Sequence, residues 1–184
     1  MAVESRIVLL RDAHDRDKFD CGESSLNTFL RQYALQHMRK NMSRTWVLTD
    51  GESVLAYSTL CMGELRRDDL PESEKRKLPH HPIPVLRLAR LATDLMHRRK
   101  GYATHMLVDA LQKTVLLSTT VGLHAVEVHA LNSTAQQFYL AFGFHPLTDN
   151  PHHLYLPLAT IAEAFDIPTP LCPTSDRKGV KGKG

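Results

Sequence analysis

With 184 residues, 42% hydrophobic and 23% charged side chains and a net charge of +3, the chain has the size and balance of one globular domain with its own core. Its longest apolar run near the N-terminus, Ile7 to Leu10, is too short for a signal peptide or a membrane span, which predicts a cytoplasmic protein. Cys21, Cys61 and Cys172 lie far apart without C-x-x-C or Cys/His spacing, and His80-His81 and His152-His153 are neighbours that cannot share a face, so neither a disulfide frame nor a metal site is expected.

Ser5 to Leu10 reads as a first strand. A helix is expected from an N-cap at Ser24 or Ser25 to about Arg39, with Leu26, Phe29, Leu30, Tyr33, Ala34 and His37 at helical spacing. Arg44 to Thr49 and Ser53 to Met62 are rich in β-branched and aromatic residues and flank Asp50-Gly51, a hairpin signal. The polar, proline-dotted stretch from Arg66 to Pro84 predicts a long loop with one short helical turn. Val85 to Thr93 is apolar enough to be a central strand. Tyr102 to Ser118 reads as a helix with Met106, Leu107, Ala110, Leu111, Thr114 and Leu117 on one side. Ala125 to Ala130 is a strand, and Ser133 to Ala141 is a helix closed by Gly143. Phe144 to Leu147 and His153 to Leu156 form a last hairpin around Asp149-Asn150-Pro151. From Pro168 onward the chain is basic and rich in proline and glycine. The expected organisation is therefore one domain over residues 1–165 and a basic, disordered tail over 166–184. The element order predicts an α/β fold in which a mixed sheet carries helices on both faces.

The stretch with chemistry begins at Leu91-Ala-Thr-Asp and runs through His97-Arg-Arg-Lys-Gly-Tyr-Ala-Thr. A central strand ends, a basic turn with one glycine follows, and a helix starts. Free N–H groups and the positive end of the helix dipole make that turn a ready anion site, and Arg98, Arg99 and Lys100 add charge. It is neither a P-loop nor a dinucleotide fingerprint, because both glycine spacings are absent. A bland alternative is a helix start with solvated charges. Further basic groups stand at Arg39 to Arg44 and Arg66 to Lys77; they suit either a phosphate backbone or a solvated surface. In Val128-His-Ala-Leu-Asn-Ser-Thr-Ala-Gln-Gln-Phe-Tyr-Leu-Ala-Phe-Gly-Phe a strand again meets a short helix. Phe138 and Phe142 read as core. Tyr139 carries a hydroxyl that needs a partner if buried. Arg87 and Arg90 should point to opposite faces of their strand, toward a substrate phosphate or carboxylate or into structural ion pairs.

These two segments together resemble the GNAT acetyltransferase superfamily. Arg98-x-x-Gly101-x-Ala103 matches its pyrophosphate signature. Asn132, Ala135, Phe138-Tyr139 and Gly143-Phe144 match its second cofactor motif. The likeness extends over about residues 3–165. Phe19-Asp-Cys-Gly-Glu-Ser-Ser-Leu-Asn-Thr-Phe-Leu, Leu88-Ala-Arg-Leu-Ala-Thr-Asp and Leu154-Tyr-Leu-Pro-Leu are similar to the GNAT toxins of bacterial toxin–antitoxin pairs, some of which acetylate aminoacyl-tRNA.

The resemblance implies a GNAT-like fold with two central strands splayed apart and acetyl-CoA in the wedge between them. Backbone groups of Leu91, Ala92 and Thr93 would pair with the pantetheine arm. The turn formed by Arg98, Arg99, Lys100, Gly101, Tyr102, Ala103 and Thr104 would hold the diphosphate, and Asn132 would bond the cofactor near its thioester. Tyr139 would protonate the leaving thiolate. Many members deprotonate the amine with a Glu on the central strand, yet Val85 to Thr93 contains no acid. That absence favours an α-amine, with a pKa of about 8, over a lysine side chain near 10.4. Aminoacyl-tRNA is then the expected acceptor, with a ribbon-helix-helix antitoxin and a second copy of the chain as candidate partners and no membrane. A small amine or a protein N-terminus is the rival acceptor, and a CoA-binding interaction module without turnover is the rival from another class.

Overall fold

The computed structural model describes residues 5–167, so the expected disordered tail, Pro168 to Gly184, lies outside the described residues. Its single sheet is built from β1 (Arg6–Leu9), β2 (Arg44–Thr49), β3 (Val54–Leu65), β4 (Ile83–Thr93), β5 (Ala125–His129), β6 (His145–Pro146) and β7 (His153–Pro157). The strand order is β1-β2-β3-β4-β5-β7-β6, so β4 is the middle strand of the seven, as its apolar content predicts. Only β4 and β5 are parallel neighbours, joined by the long crossover through α4 (Tyr102–Ser118).

Helices cover both faces, for reasons visible in their side chains. The face bearing Leu86, Leu88, Val126, Val128, Leu154 and Leu156 packs on Leu107, Ala110, Leu111 and Val115 of α4. It also meets Leu158, Ile161 and Ala162 of α6 (Leu158–Ala164), a helix the sequence reading did not anticipate. The opposite face presents Val47, Tyr57 and Ala92 to Phe19, Phe29, Leu30 and Ala34. Each such aliphatic or aromatic side chain, fully buried, contributes roughly 1.5–3 kcal/mol.

The expected first helix is interrupted. α1 (Ser24–Thr28) and α2 (Ala34–Arg39) flank a π turn at Phe29–Tyr33 that turns Phe29 and Leu30 into the core. The N-cap is Glu23, without a side-chain cap, in place of Ser24 or Ser25; the Ser25 hydroxyl donates to the Glu23 carboxylate instead (3.2 Å). The segment between β3 and β4 holds a 3₁₀ turn at Arg67–Asp69 and the short helix α3 (Glu72–Lys75), and β4 begins two residues before the expected Val85. Among the described residues no helix is long and apolar enough to cross a membrane.

The register of β3 with β4 contains one irregularity. Thr59 faces Arg90 and Leu60 faces Leu88, so Ala89 has no opposite number. A surplus residue of this kind bends and twists its strand. The pairing of β4 with β5 runs only from Val85 to Leu88, and from Ala89 onward β4 keeps β3 but leaves β5. The expected splayed wedge is this parting.

α5 (Ser133–Ala141) closes as predicted. Gly143 sits at φ +85° beyond its end, where its N–H donates to the Leu140 carbonyl and that of Phe144 to the Tyr139 carbonyl. This double closure demands a left-handed residue. Gly143→Ala is therefore expected to cost about 1–2 kcal/mol, read as a lower urea midpoint at unchanged m-value; an unchanged midpoint refutes the account.

Candidate active site

The open half of β4 carries Leu91, Ala92 and Thr93 along the wedge. Ala92 is buried and Leu91 and Thr93 half-buried. The Thr93 hydroxyl is buried without a partner among the described residues. Strand edges without a neighbour are ready to take an extended chain. At the top of the wedge, Gly101 caps α4 at φ +78°, after Arg99 at φ +62°. The N–H groups of Tyr102, Ala103 and Thr104 lie in the first turn, without intrahelical acceptors. A Cβ added at Gly101 would meet nothing within 4 Å. The turn thus encloses open space lined by N–H groups, the shape and polarity a diphosphate requires.

The charged side chains of this turn do not all serve that space. Arg98 donates to the Cys21 carbonyl (2.8 Å), and Lys100 lies 3.1 Å from His97 Nδ1. Arg98 therefore ties the turn to the N-terminal segment. The segment is itself a knot of hydrogen bonds. Asp20 Oδ1 accepts from the Gly22 N–H (2.8 Å) and from Asn27 (2.8 Å), and Asn27 Oδ1 accepts from the Cys21 N–H (2.9 Å). The Asp20 N–H reaches Asp94 (3.0 Å), and the Asp20 carbonyl accepts from the Leu95 N–H (2.8 Å). The motif Phe19 to Leu30 is thus a brace for the diphosphate turn. Asn132 likewise has a structural duty: its side-chain oxygen caps α5 by accepting from the Ala135 N–H (2.9 Å), which leaves only its amide NH₂ for a ligand.

Tyr139, on α5, is buried against Phe138 and Phe144, with ring centroids 5.3 and 5.4 Å away. Burial pushes its phenol well above the usual value, so it stays protonated.

On the α2 side of the sheet, beside the parting, lies a cavity of about 350 Å³ lined by His37, Thr59, Cys61, Arg87, Arg90 and His129, among others. Arg87 and Arg90 share this face, against the simple alternation expected, because Ala89 resets the register: Arg87 faces Cys61 and Arg90 faces Thr59, two residues apart on β3. The two arginines differ in their partners. Arg90 lies over the Phe29 ring at 3.6 Å. Arg87 is paired with Glu127 at 2.5 Å.

Glu127 is the functional-site residue that sequence reasoning passed over. It is fully buried, with Oε1 on Arg87 and Oε2 on His153 Nε2 (2.9 Å), while His153 Nδ1 meets Asp149 (3.0 Å). The acid missing from β4 thus stands next door on β5, with both oxygens engaged. Its signal was an acidic residue inside the apolar run Ala125-Val-Glu-Val. Glu127, His129 and His153 place donor atoms within 4.8 Å of one another, but Glu127 and His153 already bond each other.

The basic groups are partly neutralised. Arg39 pairs with Asp12, Arg66 with Asp69, Lys75 with Glu72 and Lys77 with Glu74. Arg67 bonds the Leu78 and Lys75 carbonyls. The stretch Arg66 to Lys77 is therefore largely self-paired, and a phosphate-binding role for it loses its support. Arg44, beside the cavity wall, bonds Asn41 and main-chain carbonyls of Met38 and Ser43, not an acid.

Known proteins share this fold. The chain is 35% identical over 147 residues to a tRNA-acetylating toxin of Mycobacterium tuberculosis, an overlap of 80% of this chain and 88% of the relative. The chain belongs to the GNAT-fold tRNA-acetylating toxins. No protein-family model matches it. Among solved structures, a tyrosine-to-phenylalanine mutant of KacT superposes with a TM-score of 0.84 at 30% identity, covering 88% of this chain and 99% of KacT. AtaT complexed with acetyl-methionyl-tRNAfMet superposes at 0.82 with 34% identity and the same coverage. AtaT has also been solved with acetyl-CoA and the C-terminus of its antitoxin AtaR, at a TM-score of 0.76 and 31% identity over 88% of this chain and 98% of AtaT.

In this toxin the ion pair at the foot of the wedge depends on one glycine. A Cβ at Gly63 would lie 2.5 Å from Glu127 Oε1 and 3.3 Å from Val85. The carboxylate is held on both sides and cannot step away. Gly63→Ala should therefore destabilise the fold by about 1–3 kcal/mol, the usual cost of overpacking. Thermal unfolding at wild-type Tm would show that the Glu127 pair can shift freely.

Proposed function

We propose that the protein transfers the acetyl group of acetyl-CoA to the α-amino group of an aminoacyl-tRNA, an acetyltransferase toxin that stops translation. The observation that carries this reading is the parted edge of β4 between the N–H-lined turn of α4 and the buried Tyr139, in a chain 34% identical to AtaT, which is seen with an acetylated aminoacyl-tRNA. The reading places the protein in the cytoplasm, where charged tRNA and acetyl-CoA are made. It includes an antitoxin partner of the ribbon-helix-helix kind and a homodimer, in which a second copy covers exposed apolar residues such as Met62 and Leu116.

Acetyl-CoA fits the wedge as an added strand. The turn from Arg99 to Thr104 receives the diphosphate, and Arg98 holds that turn in place. Backbone groups of Leu91, Ala92 and Thr93 take the pantetheine arm, and the unpartnered Thr93 hydroxyl gains an acceptor there. The Asn132 amide is left to bond near the thioester. The neutral amine attacks the thioester carbonyl from the side of the Arg90 cavity, the carbon–sulfur bond breaks, and Tyr139 gives its proton to sulfur. Burial keeps the Tyr139 phenol protonated, so its proton is available to the leaving sulfur. Of the two arginines, Arg87 is structural through Glu127, and Arg90 remains for an acceptor phosphate or carbonyl.

The direct test incubates the protein with labelled acetyl-CoA and total charged tRNA, beside deacylated tRNA, peptides and polyamines. Label is expected on charged tRNA alone, and Tyr139→Phe should slow turnover by about 10²-fold or more at wild-type cofactor affinity. Label on peptides or polyamines with none on charged tRNA overturns the substrate, and full turnover by Tyr139→Phe removes that residue from the mechanism.

The diphosphate turn is tested separately. Asn and Asp both tolerate left-handed backbone, so Gly101→Asn and Gly101→Asp differ chiefly in charge. Calorimetry should show acetyl-CoA binding weakened by the Asp variant about tenfold beyond the Asn variant, or ~1.4 kcal/mol. Equal affinities would place the diphosphate elsewhere.

A further inference from the structure

The acceptor of the proposed reaction arrives as an ammonium ion and must lose a proton before it can attack. Its α-amino pKa of about 7.7–8.0 leaves roughly a tenth of it neutral at pH 7. A group on the cavity wall that takes this proton would relieve the shortfall, and none of the residues predicted from the sequence does so.

Few acceptors stand on the wall or just behind it, and of those on it His37, on α2, is set edge-on against Phe29 with ring centroids 5.4 Å apart. Glu127 is fully buried with both oxygens bonded. Cys61 is held protonated, because burial pushes its thiol up. His153 has a carboxylate on each ring nitrogen. His129 is different. It is the last residue of β5, just beyond the point where β5 and β4 part, and it lines the cavity with Arg90 and Thr59. Its ring stacks on His153 at 3.9 Å and 18°, and its nitrogens bond no other described residue. The stack is firm because His153 is pinned by Glu127 at 2.9 Å and Asp149 at 3.0 Å.

We propose that His129 is the catalytic base of this enzyme, taking the proton from the acceptor ammonium while His153 and Glu127 hold its ring in position; the assignment rests on the acetyltransferase reading above. The proton balance is simple. The ammonium gives one proton to His129, which passes it to solvent. The neutral nitrogen forms its bond to the acetyl carbon as the carbon–sulfur bond breaks. The adduct nitrogen then loses a second proton, which replaces the one Tyr139 has given to sulfur.

The surroundings favour the role. Burial, then the neighbouring His153 and Arg87, depress the His129 pKa below 6.5, while Glu127 and Asp149 oppose them. A base whose pKa is lowered is neutral, and so ready to accept, throughout the range where the amine is still charged. The ring is itself exposed to the cavity, so a proton taken there can pass to solvent.

The test is the pH profile of single-turnover acetylation at saturating acetyl-CoA, for wild type, His129→Gln and His37→Gln. His129→Gln should be about tenfold slower at pH 7, where about a tenth of an amine of pKa about 8 is neutral, and should approach the wild-type rate by pH 9. The His129→Gly variant should regain rate near pH 7 when imidazole is added. A loss that is constant across the pH range, with no rescue by imidazole, makes His129 merely structural and overturns the proposal. A profile in His37→Gln that is slow at pH 7 and recovers by pH 9, with a normal one in His129→Gln, moves the base to α2 and also overturns it. These outcomes are read with whichever amine wild type acetylates. Failure of wild type on charged tRNA therefore counts against the substrate, and a normal His129→Gln profile counts against the base.

Discussion

A surplus alanine in the middle strand sets the geometry on which the active site depends. Because Ala89 has no opposite number on β3, β4 bends at that point, and its parallel pairing with β5 stops at Leu88. An unpaired edge at the centre of a sheet is normally a liability, since its N–H and C=O groups lie open to any extended chain. Under the proposed reaction the open edge is the binding surface. The same residue has a second consequence on the side chains. Three positions separate Arg87 from Arg90, which in a regular strand would send them to opposite faces. The bulge returns them to one face, so a wedge for one substrate and a charged cavity for the other arise from a single irregularity.

Below the parting, the sheet must be held firmly enough that it does not unzip further. The chain Arg87–Glu127–His153–Asp149 sits there, linking β4 to β5, β5 to β7, and β7 to the turn before it. Burying a carboxylate without partners is costly, and a buried ion pair is by itself weak evidence for stability. Its value here is positional. Each Glu127 oxygen has a defined partner, Gly63 leaves the space in which Arg87 meets it, and a shift of β5 would break both bonds together. The N-terminal brace acts in the same way at the other end of the wedge, where Arg98, Asp94 and Asp20 fix the turn that leads into α4. The arginine of that turn thus serves its shape, and under the proposed reaction the backbone is left to meet the anion.

Much of this was legible in the sequence because it depends on local patterns. Helical spacing gave α4 and α5 to the residue, and Gly143 marked the end of α5 through a backbone angle that only its position explains. The turn before α4 and the Asn132 to Phe144 stretch carried the family motifs. What stayed hidden depends on partners distant in the chain. Nothing about Ala89 announces a bulge. Glu127 looked like an ordinary strand residue, although its partners are 40 residues back at Arg87 and 26 onward at His153. The mixed signs in Arg66 to Lys77 suited either a phosphate backbone or a solvated surface, and the i,i+3 pairing favours the second. α6 was missed because its spacing, Leu158, Ile161, Ala162, follows directly on the apolar strand Leu154 to Leu156 and blurs into it.

The two groups proposed to transfer protons illustrate how one fold can run opposite chemistry. An acid and a base that work at the same pH need environments that push them in opposite senses. Tyr139 lies among Phe138, Phe144 and the aliphatic core, and desolvation alone keeps its proton on. For an imidazole the same desolvation keeps the proton off, because the charged form is now the protonated one. His129 therefore needs no special donor to be a base. Its ring stands exposed at the parting yet close enough to the packed strands to be partly desolvated, and the neighbouring His153 and Arg87 lower its pKa further without offering it a hydrogen bond. The carboxylates that would raise its pKa are turned toward Arg87 and His153. Thus the buried ion network that holds the strands together also fixes the ring on which the residue at their parting stacks, which joins the stability of the sheet to the readiness of the site.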